Sequence, residues 1–278
     1  MSWKDKFPKN NTYFETDNGI LYCNDVVEQL SQFPDESIDL VVTSPPYDNL
    51  RYYSAKNEKE LENIWNFEKF KIVAKELYRI MKKGGVVVWV VGDATIKGSE
   101  TGNSFRQALY FKDECGFKLH DTMIYNKNNY SPCGSRYCYT QSFEYMFILT
   151  KGNPRSFNPL KTKNNNYRGR VKKVRVNRRK ANGELPKFKL VKEKEYIKKN
   201  NVWTYSNFNR TAHPAPFPEQ LAHDHIISWS NEGDIVLDPL CGSGTTLKMA
   251  EKLNRKWIGI EINPEYCEIA KQRILKEL

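Results

Sequence analysis

Long apolar runs are missing from this chain of 278 residues. The longest, Val86–Val91, has the length of a strand, far short of the roughly 20 residues that a membrane-spanning helix needs. The opening segment MSWKDKFPKNNTYFET has no apolar stretch of the kind found in secretory signals, so none is expected. The six cysteines (Cys23, Cys115, Cys133, Cys138, Cys241 and Cys267) form no C-x-x-C pair, and the four histidines are not at zinc spacing. Neither a disulfide framework nor a metal site is expected, and the close pair Cys133 and Cys138 reads as two buried or half-buried thiols. These absences predict a soluble, cytoplasmic protein with no membrane partner. Hydrophobic residues at 39% and aromatics at 13% supply a real core, which excludes wholesale disorder.

Acidic residues are scarce in one segment only. Residues 151–200 hold 18 Lys and Arg against 3 Asp and Glu, while the rest of the chain is slightly acidic, so the formal net charge of +11 belongs to that segment. Arg168, Arg170, Lys172, Lys173, Arg175, Arg178, Arg179 and Lys180 fall in one run without an acid. A charge run alone is usually a solvated loop. This one is internal and carries Val171, Val174 and Val176 at strand-like spacing, which predicts an insert that binds a polyanion such as a nucleic-acid backbone.

Outside the insert, short β-branched strands alternate with helical patterns, as in an α/β protein with a mostly parallel sheet. Expected strands are Gly19–Cys23, Ile38–Thr43, Val86–Val91, Thr122–Tyr125, Tyr145–Thr150, Ile235–Leu237 and Trp257–Ile262. Expected helices are Phe67–Met81, stopped by Gly84–Gly85, then Phe105–Cys115, Pro218–Ser230, Thr245–Leu253 and Pro264–Leu278. The segment 151–202 breaks the rhythm and reads as an inserted second domain, with 1–150 and 203–278 forming the main one.

Ile235–Thr246 reads as strand, tight glycine turn, helix. Gly242 and Gly244 allow positive φ and close approach of a ligand to the backbone. The turn lacks both full G-x-G-x-x-G spacing and the lysine of a phosphate-cradling loop, so pyrophosphate is a poor fit. Asp238 at the strand end suits a cationic ligand such as a sulfonium, and Glu261, ending the next strand, can accept hydrogen bonds from both hydroxyls of a ribose.

Asp238-Pro239-Leu240-Cys241-Gly242-Ser243-Gly244-Thr245, with Glu261, resembles the S-adenosylmethionine motif of DNA amino-methyltransferases, which usually have Phe where Leu240 stands. Thr43-Ser44-Pro45-Pro46-Tyr47 resembles that family's catalytic Ser/Asp-Pro-Pro-Tyr motif. The order of catalytic motif, basic insert and cofactor motif is similar to the family's β class. The resemblance implies a Rossmann-like, circularly permuted sheet in which the insert is a target-recognition domain binding double-stranded DNA. It also implies that Ile262 and Asn263 beside Glu261, Thr43 before the catalytic motif, and Asp25 in Cys23-Asn24-Asp25 help to hold the cofactor, Asp25 near the adenine ring. His213–Ile226 resembles the segment whose helix helps hold the methionine part.

The catalytic motif has its own chemistry. Pro45 and Pro46 remove two N–H donors and leave their carbonyls, and that of Ser44, as acceptors for the hydrogens of an exocyclic amine. Such bonding draws the nitrogen toward sp³ character and exposes its lone pair for attack on a sulfonium methyl. Tyr47 offers a flat face for an extruded base. No cysteine stands here to attack a ring carbon, as methylation at carbon 5 requires. Ser44 in the first position resembles enzymes acting on cytosine N4; Asp is commoner there in adenine N6 enzymes. The expected activity is site-specific N4-cytosine methylation in a prokaryotic or phage restriction–modification system with a cognate endonuclease, possible as a homodimer. N6-adenine methylation, RNA methylation and a catalytically inactive DNA-binding protein remain the alternatives.

Overall fold

The computed structural model describes residues 2–46, 65–128, 139–175, 188–206 and 218–278. Tyr47, Arg178, Arg179, Lys180, Cys133, Cys138, Val176 and the start of the His213–Ile226 motif lie outside the described residues. The strands are β1 (Thr12–Glu15), β2 (Gly19–Cys23), β3 (Ile38–Thr43), β4 (Met81–Val91), β5 (Thr95–Ile96), β6 (Ser99–Glu100), β7 (Lys118–Lys127), β8 (Phe143–Thr150), β9 (Lys161–Lys163), β10 (Val171–Arg175), β11 (Phe188–Lys192), β12 (Tyr196–Lys198), β13 (Val202–Tyr205), β14 (Ile235–Asp238) and β15 (Lys256–Glu261). The helices are α1 (Val26–Ser31), α2 (Phe67–Ile80), α3 (Asn103–Asp113), α4 (Glu219–Trp229), α5 (Thr245–Lys252) and α6 (Pro264–Leu275).

Nine strands form one sheet in the order β1-β2-β15-β14-β3-β4-β8-β7-β13. The run from β2 to β4 is parallel, β4-β8-β7 is antiparallel, and β13 returns parallel to β7. The last two strands of the chain therefore sit between β2 and β3, which is the circular permutation expected from motif order. Helices α1, α2 and α3 pack together on one face, and α4, α5 and α6 on the other. The central strands are covered on both faces, which is why β3 and β14 read as continuous apolar runs and are buried throughout.

Local sequence explains most elements. The Asn66 side chain accepts from the Lys69 N–H at 2.8 Å and starts α2, whose inward face is Phe70, Val73, Ala74, Leu77 and Ile80. Phe70, Trp89 and Phe111 meet with ring centroids 5.1–5.7 Å apart, and Trp89 Nε1 donates to Gln107 Oε1 at 2.7 Å, tying α3 to β4. One expectation fails: Gly84–Gly85 does not stop α2. The helix ends at Ile80 because Met81 pairs with Ile38 and opens β4. Gly84 has φ +81°, and a Cβ on Gly85 would come within 2.9 Å of the Lys82 carbonyl, so the glycines serve an irregularity inside the strand.

The chain divides into two compact units, Met1–Asn158 with Asn201–Leu278, and Pro159–Asn200. Within the range 151–202 read as the insert, residues 151–158 and 201–202 fold with the larger unit. The smaller unit contains two two-stranded ribbons, β10–β11 and β12–β9.

At the sheet's other end, the β1–β2 turn is bound to α5 through one carboxylate. Glu251 accepts from Thr16 Oγ1 and Asn18 Nδ2 at 2.8 Å and from Trp257 Nε1 at 2.5 Å. The Trp257 ring occupies the space above Gly19, where a Cβ would lie 1.7 Å from ring carbon Cε2. Gly19→Ala should lower stability by about 1–3 kcal/mol through overpacking, read as a lower denaturation midpoint with an unchanged slope.

Candidate active site

The parallel strands β2, β15, β14 and β3 end side by side, and each end carries one of the sequence motifs: Cys23-Asn24-Asp25, Glu261-Ile262-Asn263, Asp238 with the glycine turn, and Thr43-Ser44-Pro45-Pro46. Carboxyl ends of parallel strands are where open α/β sheets bind ligands.

Asp238 is buried between two motifs. It accepts from Thr43 Oγ1 at 2.7 Å and from the Leu240 N–H at 3.2 Å, while Thr246 Oγ1 donates to the Val42 carbonyl at 3.1 Å. The strand before the catalytic motif is thus joined to the glycine turn by side chains. Burial pushes the Asp238 carboxyl up to about 6, although the bonds from Thr43, Thr246 and Leu240 oppose the rise.

The turn runs Pro239-Leu240-Cys241-Gly242-Ser243-Gly244-Thr245. Pro239 is buried and Leu240 half-buried; the Cys241 N–H donates to the Ile260 carbonyl at 3.0 Å. Burial raises the Cys241 thiol well above its ordinary value and keeps it neutral. Gly242 and Gly244 have φ of 50° and 75°. A Cβ on Gly244 would lie 2.7 Å from that of Ala270, so this glycine also lets α6 approach the start of α5.

Glu261 faces the turn from the next strand. Its Oε2 accepts from the Gly242 N–H and its Oε1 from the Asn263 N–H, both at 2.9 Å. Each oxygen keeps a second lone pair, and the residue is half-buried. Burial raises its carboxyl to about 6 against these two bonds. Asn263 caps α6 by accepting from the Glu265 N–H at 2.9 Å, and Ile262 is exposed. Asp25 caps α1 through the Val27 N–H at 2.8 Å and pairs with Lys69 Nζ at 2.5 Å. Burial raises the Asp25 carboxyl, but Lys69 and the Val27 N–H outweigh it and hold the group below its ordinary range. Ser44 and Pro46 are half-buried and Pro45 is buried, directly after β3.

One residue at this site carries no motif signal. Arg273, in the last turn of α6, donates through Nη1 to the Ser243 carbonyl at 2.7 Å, to Ser243 Oγ at 2.8 Å and to Thr245 Oγ1 at 3.1 Å. Its Nη2 reaches Glu219 Oε1 at 2.9 Å, which also pairs with Lys248 at 3.0 Å. The glycine turn is therefore braced against the first turn of α4. In sequence, a basic residue near a helix C-terminus reads only as a complement to the helix dipole.

In the smaller unit, the Arg168 and Arg170 N–H groups donate to Glu193 Oε2 at 2.8 and 3.3 Å, and Lys172 pairs with the same carboxylate. Lys172 holds the Glu193 carboxyl well below its ordinary range. Lys173 Nζ lies 5.2 Å from the centre of the Phe188 ring, and Arg175 closes β10.

The permuted α/β sheet thus brings the glycine turn, Glu261 and the Ser-Pro-Pro strand end together at the carboxyl ends of neighbouring strands. The sequence model of the N6/N4 DNA methylases matches residues 38–272. The orphan methyltransferase M.BamHII of Bacillus amyloliquefaciens is 52% identical over 250 residues, covering 86% of this chain and 89% of that protein. The type II methyltransferase M.HpaI of Haemophilus parainfluenzae is 30% identical over 266 residues, covering 92% and 74%. Among solved structures, the cytosine-N4-specific PvuII DNA methyltransferase superposes with a TM-score of 0.69 at 25% identity, covering 95% of this chain and 89% of that one. A DNA modification methylase of Thermus thermophilus, TTHA0409, complexed with S-adenosyl-L-methionine, gives 0.60 at 25% identity, covering 92% and 95%. The chain belongs to the S-adenosylmethionine-dependent DNA amino-methyltransferases of restriction–modification type. No helix among the described residues is long and apolar enough to cross a membrane.

The raised Asp238 carboxyl has a consequence for stability. An unfolded aspartate titrates near 4 and the native one at about 6, so the native state is favoured while the group is protonated, and this advantage is lost as pH rises through about 6. The stability difference between wild type and Asp238→Asn should therefore fall by on the order of 2–3 kcal/mol between about pH 4 and 7, then stay flat. Denaturant titrations across that range measure it; a difference independent of pH would remove the buried-carboxylate account.

Proposed function

We propose that this enzyme methylates the exocyclic N4 amine of cytosine in duplex DNA at a specific site, with Ser44, Pro45, Pro46 and Tyr47 as its catalytic motif. The observation that carries the reading is the hydrogen bond from Thr43 to Asp238, which fixes Ser44-Pro45-Pro46 next to the glycine turn. The residues at the turn fit S-adenosylmethionine. Glu261 has lone pairs left for two ribose hydroxyls, and Gly242 beside it is half-buried with positive φ and no side chain to bar a ligand. The guanidinium of Arg273 is already committed to Ser243, Thr245 and Glu219 rather than offered to a polyphosphate. Asp238 contributes buried negative charge through the turn.

When bound, the cofactor supplies an electrophilic methyl group on a sulfonium. The protein's own part is to hold the acceptor. Ser44 and the proline carbonyls accept the amine hydrogens and orient the nitrogen lone pair, and the proton lost from the methylated nitrogen passes to solvent. Tyr47 stacks on the flipped base. The Pro159–Asn200 unit, with Arg168, Arg170, Lys172, Lys173 and Arg175 and the neighbouring Arg178, Arg179 and Lys180, binds DNA as the target-recognition element. The serine of the motif and the printed specificity of the PvuII enzyme both favour N4 of cytosine. The type II name of M.HpaI favours a cognate endonuclease acting at the same site, whereas M.BamHII carries the name of an orphan.

Incubation with tritiated S-adenosylmethionine should label duplex DNA and leave RNA unlabelled, and nucleoside mass spectrometry should find N4-methyldeoxycytidine; N6-methyldeoxyadenosine would reassign the base. Glu261→Ala should weaken cofactor binding roughly tenfold or more by calorimetry. Wild-type affinity should also fall below about pH 6 as Glu261 gains a proton, and Glu261→Gln should lack that dependence. Ser44→Ala should lower kcat about tenfold or more while cofactor affinity stays within about twofold. Equal turnover would remove Ser44 from the chemistry.

A further inference from the structure

The β10–β11 ribbon in the Pro159–Asn200 unit has two unlike faces. Its strands pair antiparallel, with Lys173 opposite Leu190 and Val171 opposite Lys192. Opposite residues share a face and alternate residues return to it, so Val171, Lys173, Leu190 and Lys192 lie in one row, joined by Phe188. This row mixes exposed apolar groups with cations. Leu190 is 73% exposed, Val171 59% and Phe188 50%, and the Lys173 ammonium lies over the Phe188 ring. The other row is held at its base by the Lys172–Glu193 pair, with Val191 half-buried and Val174, at 36%, its one exposed apolar group among the paired residues.

Solvation accounts for exposed lysines but not for three exposed apolar side chains in line with them. A two-stranded ribbon has the width that the major groove of B-form DNA admits. Base edges there offer acceptors for lysine and, at thymine, a methyl group for an apolar contact. A phosphate backbone would use the cations alone and leave Leu190 and Val171 in water. We infer that the Val171–Lys173–Leu190 face of this ribbon enters the major groove and reads bases, and so sets the recognition sequence. This rests on the proposed DNA-methylating function and adds which residues confer its specificity.

The experiment uses the full-length enzyme and duplex oligonucleotides. Sequencing of modified DNA from expressing cells first defines the wild-type site, and kcat/KM is then compared between that site and duplexes with one base pair changed. Lys173→Ala combined with Leu190→Ser should reduce the preference for the true site by about tenfold or more, because lost base contacts relax discrimination. Lys189→Ala, on the opposite row, should weaken binding to every duplex alike and lower the salt slope by about one, with the preference unchanged. Protection of guanine N7 from dimethyl sulfate by wild type, lost in the double variant, places the contact in the major groove. An unchanged preference in the double variant overturns the inference, as does guanine N7 reactivity that binding does not alter. A wild-type enzyme that labels no DNA defeats the functional reading itself, a result distinct from either.

Discussion

A buried carboxylate between two strands organises this molecule. Asp238 closes β14, and β3 lies beside it, so the Thr43 hydroxyl meets the carboxylate across a single strand spacing. Burying that charge is unfavourable, as its raised titration reflects, and it is tolerated because the Thr43 hydroxyl and the Leu240 N–H donate to it. The bonds that satisfy Asp238 also fix the distance between the Ser-Pro-Pro strand end and the glycine turn. The two strand ends are thereby one rigid unit.

The rest of the site is built outward from that unit by polar contacts between elements remote in sequence. Glu261 bonds the Gly242 N–H from the neighbouring strand, and Arg273 bonds Ser243 and Thr245 from the last helix while reaching Glu219 in α4. Two glycines let the layers close. Gly244 makes room for Ala270, and Gly259 makes room for Leu247, whose Cδ1 would stand 2.4 Å from an added Cβ. The turn is consequently held against both adjacent helices.

The central sheet was legible in the sequence because burial on both faces leaves an unbroken apolar record: β3, β14 and β15 stand within a residue of where that record places them. The motifs at their ends were legible for the same reason, since each follows directly from a recognisable strand. Elements with weak records were missed. β1 is a four-residue edge strand with alternating burial, α1 has six residues, and β13 follows the basic insert and, among the described residues, pairs with β7 alone. Gly84 and Gly85 misled because a glycine pair marks a helix end and a strand irregularity equally well. Arg273 had no local signal, because its role depends on three partners brought near only by the fold.

The strand order also governs when the enzyme can exist during its own synthesis. Ile20 pairs with Ile258, so the β1–β2 hairpin stays without its parallel neighbour until β15 has left the ribosome, long after β3 and β4. The Ser-Pro-Pro end of β3 is translated before the basic insert, and the glycine turn and Glu261 after it. A nascent chain that has not reached β14 thus has the Ser-Pro-Pro strand end and lacks the glycine turn and Glu261 beside it. Pairings this distant in sequence are slow to form, so the four strand ends come together late in folding.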